Sequence, residues 1–208
     1  MRPAVRRSPA ARLAARAGAV FVEEGSWEIP ASHGDDEAER SAIRSAVTIT
    51  DITARAKVDV RGETPRALPA AAGSLIARIA DDRAIVLGAP GEETRLLAAL
   101  EAAAGSATTV TDVTHLFAGF ALAGPRLPEL LERTTSWDPA NLSAGEATGA
   151  PIVEIGAVMV HRALPFPLLE VYVGAEYTRY AWESLAGVAA GLGGAPVGWQ
   201  ALRAEGWA

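Results

Sequence analysis

The chain has no cysteine among its 208 residues, which excludes disulfides, thiolate nucleophiles and cysteine-ligated zinc or iron–sulfur centres. It has a single lysine, Lys57, so a Schiff-base mechanism has one candidate. Lys57 lies in the alternating run R-A-K-V-D-V-R, where a solvent-facing place is expected. No apolar run reaches the 18 residues of a membrane span, because Arg, Asp or Glu interrupts each one, and a soluble, cytoplasmic protein is expected. A basic surface is lacking too: the net charge of −6 argues against nucleic acid as a partner. The three histidines, His33, His115 and His161, are too scattered for a metal pair, so no metal is expected. Serines occur without a G-x-S-x-G turn, and G-L-G-G at 191–194 follows a helical pattern, which makes it a helix stop rather than a phosphate loop. The catalytic group, if there is one, carries no motif of its own.

What is present is a globular composition, with 50% hydrophobic and 21% charged residues. Five arginines and no acid stand in the first 18 residues, yet this stretch reads as part of the fold rather than a transit segment. Ser8-Pro9 can start a helix over 10–16, and Gly18 can close it. A strand is expected over 19–22, a loop anchored by a buried Trp27 follows, and Asp35 and Asp36 cap a helix ending near 46.

The sequence then repeats itself. T-I-T-D-I-T at 48–53 returns as T-V-T-D-V-T at 109–114, an offset of 61, and each runs through an alternating strand into Gly and then Pro-Arg. I-V-L-G-A at 85–89 returns as V-Y-V-G-A at 171–175, an offset of 86, so about 25 extra residues sit in the second copy, within 134–151. The first copy reads as strand 57–61, helix 65–72, strand 75–80, strand 84–87, helix 92–104 and strand 108–112, a ferredoxin-like β-α-β-β-α-β order. The second reads as strand 117–123, helix 126–133, strand 152–160, strand 168–173 and helix 175–190, with its closing strand undetermined. The expectation is an α+β fold in one domain over 1–208: an extension over 1–46, a first unit over 47–114 and a second over 115–208. Asp51 and Asp112, each between threonines, suit backbone capping at a turn, with ligand binding the minor reading. Arg55 stands where the second copy has Leu116 or Phe117, and asymmetry between repeats is where a site is expected.

Several stretches carry a family resemblance: G-S-W-E-I-P at 25–30 with the acid-capped helix after it, T-D-I-T-A-R-A-K-V-D-V-R-G, and T-D-V-T-H-L-F-A-G-F-A-L-A-G-P-R. E-V-Y-V-G-A-E-Y-T-R-Y-A-W-E-S-L and G-W-Q-A-L-R-A-E-G complete the set. Together they resemble the folate-binding aminomethyltransferase family, the T-protein of glycine cleavage, over most of the chain. The resemblance implies a paired ferredoxin-like, folate-binding core, with tetrahydrofolate as cofactor and a place in one-carbon metabolism. It offers Asp51, Arg55, Glu170, Arg203 and Glu205 as cofactor-binding candidates. Departures point the other way. Residues 63–73, the place of the family's catalytic aspartate, contain none; Phe166 stands at the place of a pterin-binding glutamate; and Trp199 replaces an arginine. A pterin buried without carboxylates leaves N–H donors unpaired at about 1–3 kcal/mol each, so weak or lost tetrahydrofolate binding is expected.

Short relatives of this family serve as the gamma subunit of heterotetrameric sarcosine oxidases. The resemblance therefore implies a non-catalytic subunit partnered by a flavoprotein oxidase or other subunits of a complex. The alternative is a stand-alone tetrahydrofolate-dependent aminomethyl or methyl transferase that uses Asp51, Glu170 or Glu205 as the replacement acid. A third reading keeps the fold with the pocket filled by Phe166 and Trp199, which are expected to approach one another or share a cluster, closing the site from within.

Overall fold

The structure, a computed structural model, describes residues 4–62, 74–138, 142–143 and 145–207. The helix expected over 65–72 and the stretch 63–73 lie outside the described residues. The chain begins with β1 (Arg6–Arg7), α1 (Ala11–Arg16), β2 (Val20–Glu24), β3 (Trp27–Ser32) and α2 (Asp36–Ser45), and its first three strands form a sheet in the order β1-β3-β2. Local chemistry sets these elements. The Ser8 hydroxyl accepts the Ala10 N–H at 3.0 Å just ahead of α1, and the Asp35 carboxylate accepts the N–H groups of Glu37 and Ala38 at 3.1 and 3.0 Å at the start of α2. Trp27 is buried, with its indole N–H on Glu93 at 3.0 Å.

Two antiparallel sheets follow. β5 (Ala56–Gly62), β6 (Leu75–Ala80), β7 (Arg83–Gly88) and β8 (Thr108–Asp112) lie in the order β6-β7-β5-β8, with α3 (Glu93–Ala103) between β7 and β8. β4 (Thr48–Asp51), β9 (Phe117–Ala123), β10 (Ala147–Ile152), β11 (Ile155–His161) and β12 (Leu168–Gly174) lie in the order β10-β11-β12-β9-β4. α4 (Leu127–Thr134) follows β9, and α5 (Thr178–Gly191) and α6 (Trp199–Ala204) follow β12. β4 precedes β5 in sequence but pairs with β9, taking the edge place for which the second repeat has no strand of its own. β8 pairs with β5 and then feeds β9. Each T-x-T-D strand therefore closes one sheet and hands the chain to the other.

The layers follow from which side chains alternate where. Val58 and Val60 of β5 pack against Leu96 and Leu100 of α3. The opposite face of that sheet sends Ile85 and Leu87 into a core shared with Ala121, Val160, Leu168 and Tyr172 of the five-stranded sheet. Beyond it, Phe120, Leu122 and Val171 pack against Leu130 of α4, Leu185 of α5 and Ala14 of α1. The result is helix, sheet, sheet and helices in four layers, with α6 and β3 contributing Trp199 and Ile29 to the central core. Each Leu or Ile fully buried here is worth about 1.5–3 kcal/mol.

One expected strand is two. The run 152–160 reads as continuous, but Val153 and Glu154 form a two-residue hairpin with both residues left-handed, at φ 44° and 66°. Such turns favour Asn-Gly. Val153 holds this conformation because its N–H donates to Thr134 O at 2.6 Å and its side chain packs on the helical core. Glu154 is exposed and has no such compensation. Glu154→Gly is expected to stabilise the protein by about 1 kcal/mol, read as a higher urea midpoint at unchanged m-value.

Candidate functional site

Between the two sheets the apolar core is interrupted by charge. In L-L-E-V-Y-V the alternation that turns Leu168 and Tyr172 into the shared core also turns Glu170 there. Arg55, in the crossing from β4 to β5, meets it: Arg55 Nη1 lies 2.7 Å from Glu170 Oε1, with the two residues 3% and 0% exposed. Arg162 Nη1 donates to the same oxygen at 2.5 Å, Trp207 Nε1 donates to it at 2.8 Å, and the Tyr172 hydroxyl donates to Oε2 at 2.6 Å. Burial pushes the Glu170 carboxyl up, but Arg55, Arg162 and these donors outweigh it and hold it below the usual range. Burial, and then the Glu170 charge, push the Tyr172 hydroxyl well up, so it stays a donor.

Lys57 is a correction: it is fully buried, not solvent-facing. Its strand alternates as expected, but both faces are covered, by α3 and by the second sheet. Lys57 Nζ donates to Thr53 O and Arg55 O at 2.8 Å each and to Thr114 O at 3.3 Å, and it lies 5.8 Å from the Tyr172 ring centre. Burial draws its pKa down to about 7, with Asp51 partly opposing. The three carbonyl acceptors favour the ammonium and so oppose the burial, without restoring the ordinary lysine pKa. At the matching position the second repeat has Gly119, where a Cβ would sit 2.7 Å from the Tyr172 ring. Asp51 Oδ1 accepts the Thr53 N–H at 3.0 Å, and Asp112 Oδ1 accepts the Thr114 N–H at 2.9 Å, so both aspartates serve the capping role their flanking threonines suggested. Burial pushes Asp51 up, the Ser8 and Thr53 side chains only partly offset this, and its Oδ2 makes no direct hydrogen bond.

Of the five sequence candidates, Asp51, Arg55 and Glu170 are buried near the sheet interface, whereas Arg203 and Glu205 lie outside it. Arg203 pairs with Glu24 at 2.6 Å over the Trp199 ring, and Glu205 pairs with Arg44 at 2.6 Å. These two contacts staple α6 to β2 and α2. Trp199 packs edge to face on Trp207, at 4.9 Å and 84°, with its indole N–H on Asp51 O at 2.7 Å. Phe166 packs half-buried against the same core, so it shares Trp199's cluster, although Trp207 is the partner ring. Phe166 also lines a neighbouring groove of about 670 Å3 with Trp137, Leu131 and Arg162, but Asp51, Arg55, Lys57 and Glu170 are not in its walls. Glu170 accepts from four protein donors, three on Oε1 and one on Oε2, and Arg203 and Glu205 stand apart from it. Among the described residues no three His, Asp or Glu are grouped to hold a metal.

Sequence reasoning missed Lys57, Arg162, Tyr172 and Trp207. Lys57 had a signal in its mismatch with Gly119 across the repeat. Tyr172 lies two residues from Glu170 on the same face of its strand, whereas Arg162 and Trp207 reach Glu170 only through the tertiary fold.

No family model and no curated protein sequence matches this chain. Solved structures do. Aminomethyltransferase T of the glycine cleavage system from Bartonella henselae superposes with a TM-score of 0.77 at 18% identity, over 95% of this chain and 60% of that one. A chain of the heterotetrameric sarcosine oxidase from Corynebacterium sp. U-96, solved with pyrrole 2-carboxylate, superposes with a TM-score of 0.66 at 20% identity, over 91% of this chain and 97% of that one. The likeness is one of fold. The present chain spans 60% of the aminomethyltransferase, so the architecture is shared while the activity of the larger protein is a separate question.

Two outcomes follow from the buried charges. Glu170→Ala strands Arg55 without a counter-charge and is expected to cost about 3–5 kcal/mol in chemical denaturation. For Lys57, the folded pKa near 7 lies below the unfolded 10.5, so the unfolded chain binds more protons in between. Its contribution to stability therefore rises from pH 7 to 10.5, and Lys57→Met should remove that part of the slope in urea titrations.

Proposed function

We propose that this chain is a non-catalytic, aminomethyltransferase-fold subunit of a cytoplasmic complex in one-carbon or amine metabolism, comparable with the gamma subunit of heterotetrameric sarcosine oxidase. A flavoprotein oxidase is the partner this reading implies. The observation that carries it is the engagement of Glu170, buried between the sheets, by Arg55, Arg162, Tyr172 and Trp207. A transferase needs an acid or base within reach of the folate nitrogen that accepts the carbon unit. Glu170 serves the protein's own donors, Asp51 Oδ1 caps the Thr53 N–H, and Trp199 packs edge to face on Trp207 beside them. The coverage of 97% of a sarcosine oxidase chain is in keeping with this reading. No helix among the described residues is long and apolar enough to cross a membrane.

The deciding measurement is a thermal shift with tetrahydrofolate, paired with purification of the chain from its own cell. A ligand at 100 times its Kd stabilises by about 2.7 kcal/mol. The expected result is an unmoved Tm at millimolar tetrahydrofolate and recovery of the chain with a flavin-containing partner. A clear upward shift, with the chain recovered alone, would instead establish the stand-alone transferase.

A further inference from the structure

The two sheets end in equivalent strands, but among the described residues only one of those edges is covered from Val110 or its counterpart Ile49 onward. At β4, Ile49 N–H donates to Ala195 O at 3.3 Å, Val197 N–H donates to Ile49 O at 3.0 Å, and Trp199 Nε1 donates to Asp51 O at 2.7 Å. Residues 195–197 run parallel to β4. In the repeat, Val110 of β8 corresponds to Ile49 and Asp112 to Asp51.

The register fixes where the amides of β8 point. Val113 N–H donates to Lys57 O, and antiparallel strands alternate, so Thr109 and Thr111 turn their amides to β5 while Val110 and Asp112 turn theirs away. On β5, Gly62 N–H donates to Asp82 O on the β7 side, which is the alternation this requires. The same logic at β4, where Ile52 N–H donates to Gly119 O, points Ile49 and Asp51 outward to the covering segment. Among the described residues nothing bonds to the backbone N–H or C=O of Val110 or to the C=O of Asp112. Thr109, Thr111 and Asp112 are exposed. Thr108 holds a further interaction, so the open stretch begins at Val110.

We propose that the outer edge of β8 docks an extended segment of a partner protein, laid parallel to the strand, bonded to Val110 N–H and C=O and placing a side-chain N–H on the Asp112 carbonyl. The template is the chain's own A-P-V-G-W at 195–199, which makes this set of bonds on the equivalent strand. Edge pairing supplies affinity through the main chain and specificity through alternate side chains. The parallel direction selects a different protein over a second copy, because two copies related by a two-fold axis would pair β8 with β8 antiparallel. The Trp199 indole on the Asp51 carbonyl points to an indole donor on the incoming segment, and the exposed Asp112 carboxylate with the net charge of −6 suits a guanidinium beside it. This names the contact that the subunit reading calls for but rests on separate observations. Tetrahydrofolate binding and amide protection at β8 are read independently, so either can fail alone.

The test is amide hydrogen exchange by NMR on the full chain, titrated with a synthetic peptide copying residues 194–200, G-A-P-V-G-W-Q. Saturating peptide is expected to slow exchange of the Val110 amide by about tenfold while the inward Thr111 amide is unchanged. Val110→Pro removes an outward donor, which an edge strand tolerates, and should weaken peptide binding about tenfold with Tm nearly unchanged; Val110→Ala should retain binding. If Val110→Pro does not fold, the Val110 and Thr111 amides of the unmodified chain still decide the question. No protection at millimolar peptide, or equal affinity for a folded Val110→Pro, would overturn the proposal. Concentration-dependent protection of Val110 without peptide would also overturn it, by assigning the edge to a second copy.

Discussion

Thr53 and Thr114 each bridge, through one hydroxyl, the backbone N–H and C=O near the start of a strand in the other half of the fold. Thr53 Oγ1 accepts the Gly119 N–H at 3.0 Å and donates to its carbonyl at 3.5 Å; Thr114 Oγ1 accepts the Lys57 N–H at 2.9 Å and donates to its carbonyl at 3.4 Å. Each threonine is held by the aspartate two residues before it. These paired turns let β4 close the sheet of β9 and β8 close the sheet of β5. The rest of the architecture depends on that exchange, because it sets the two sheets face to face and obliges each half to be completed by the other.

The interface so created is where the halves differ. Lys57 caps the carbonyls of both turns, while its counterpart Gly119 makes room for Tyr172. Arg55, in place of an apolar residue of the second repeat, meets Glu170. Charges taken out of water cost several kcal/mol each, and they are tolerated here because Glu170 gathers four donors and Lys57 three acceptors. A network bonded largely from within fixes the relation of the sheets. Outside that interface, β8 is the sheet edge that its counterpart β4 shows how to cover.

Much of this was legible in the sequence. The T-x-T-D-x-T echo located both turns, and the alternation of R-A-K-V-D-V-R, F-A-G-F-A-L-A and L-L-E-V-Y-V located the strands that flank the interface. These are local properties: an aspartate two residues before an N–H closes a turn wherever the chain places it, and a period of two declares a strand. Alternation is silent about what covers each face, however. It identified Lys57 as one side of a strand and could not reveal that the second sheet lies against that side.

The sequence by itself therefore determined many of the strands and helices, the duplicated turns and the asymmetric position Arg55. Only the tertiary structure decided that β4 completes the sheet of the later repeat, that 152–160 breaks at Val153 and Glu154, and that Arg162, Tyr172 and Trp207 converge on Glu170. It also separated Arg203 and Glu205 from Glu170, pairing them with Glu24 and Arg44 on the surface. Strand partners and buried ion pairs join residues far apart in the chain, here 115 positions for Arg55 and Glu170. Their energy depends on desolvation, which no local pattern records.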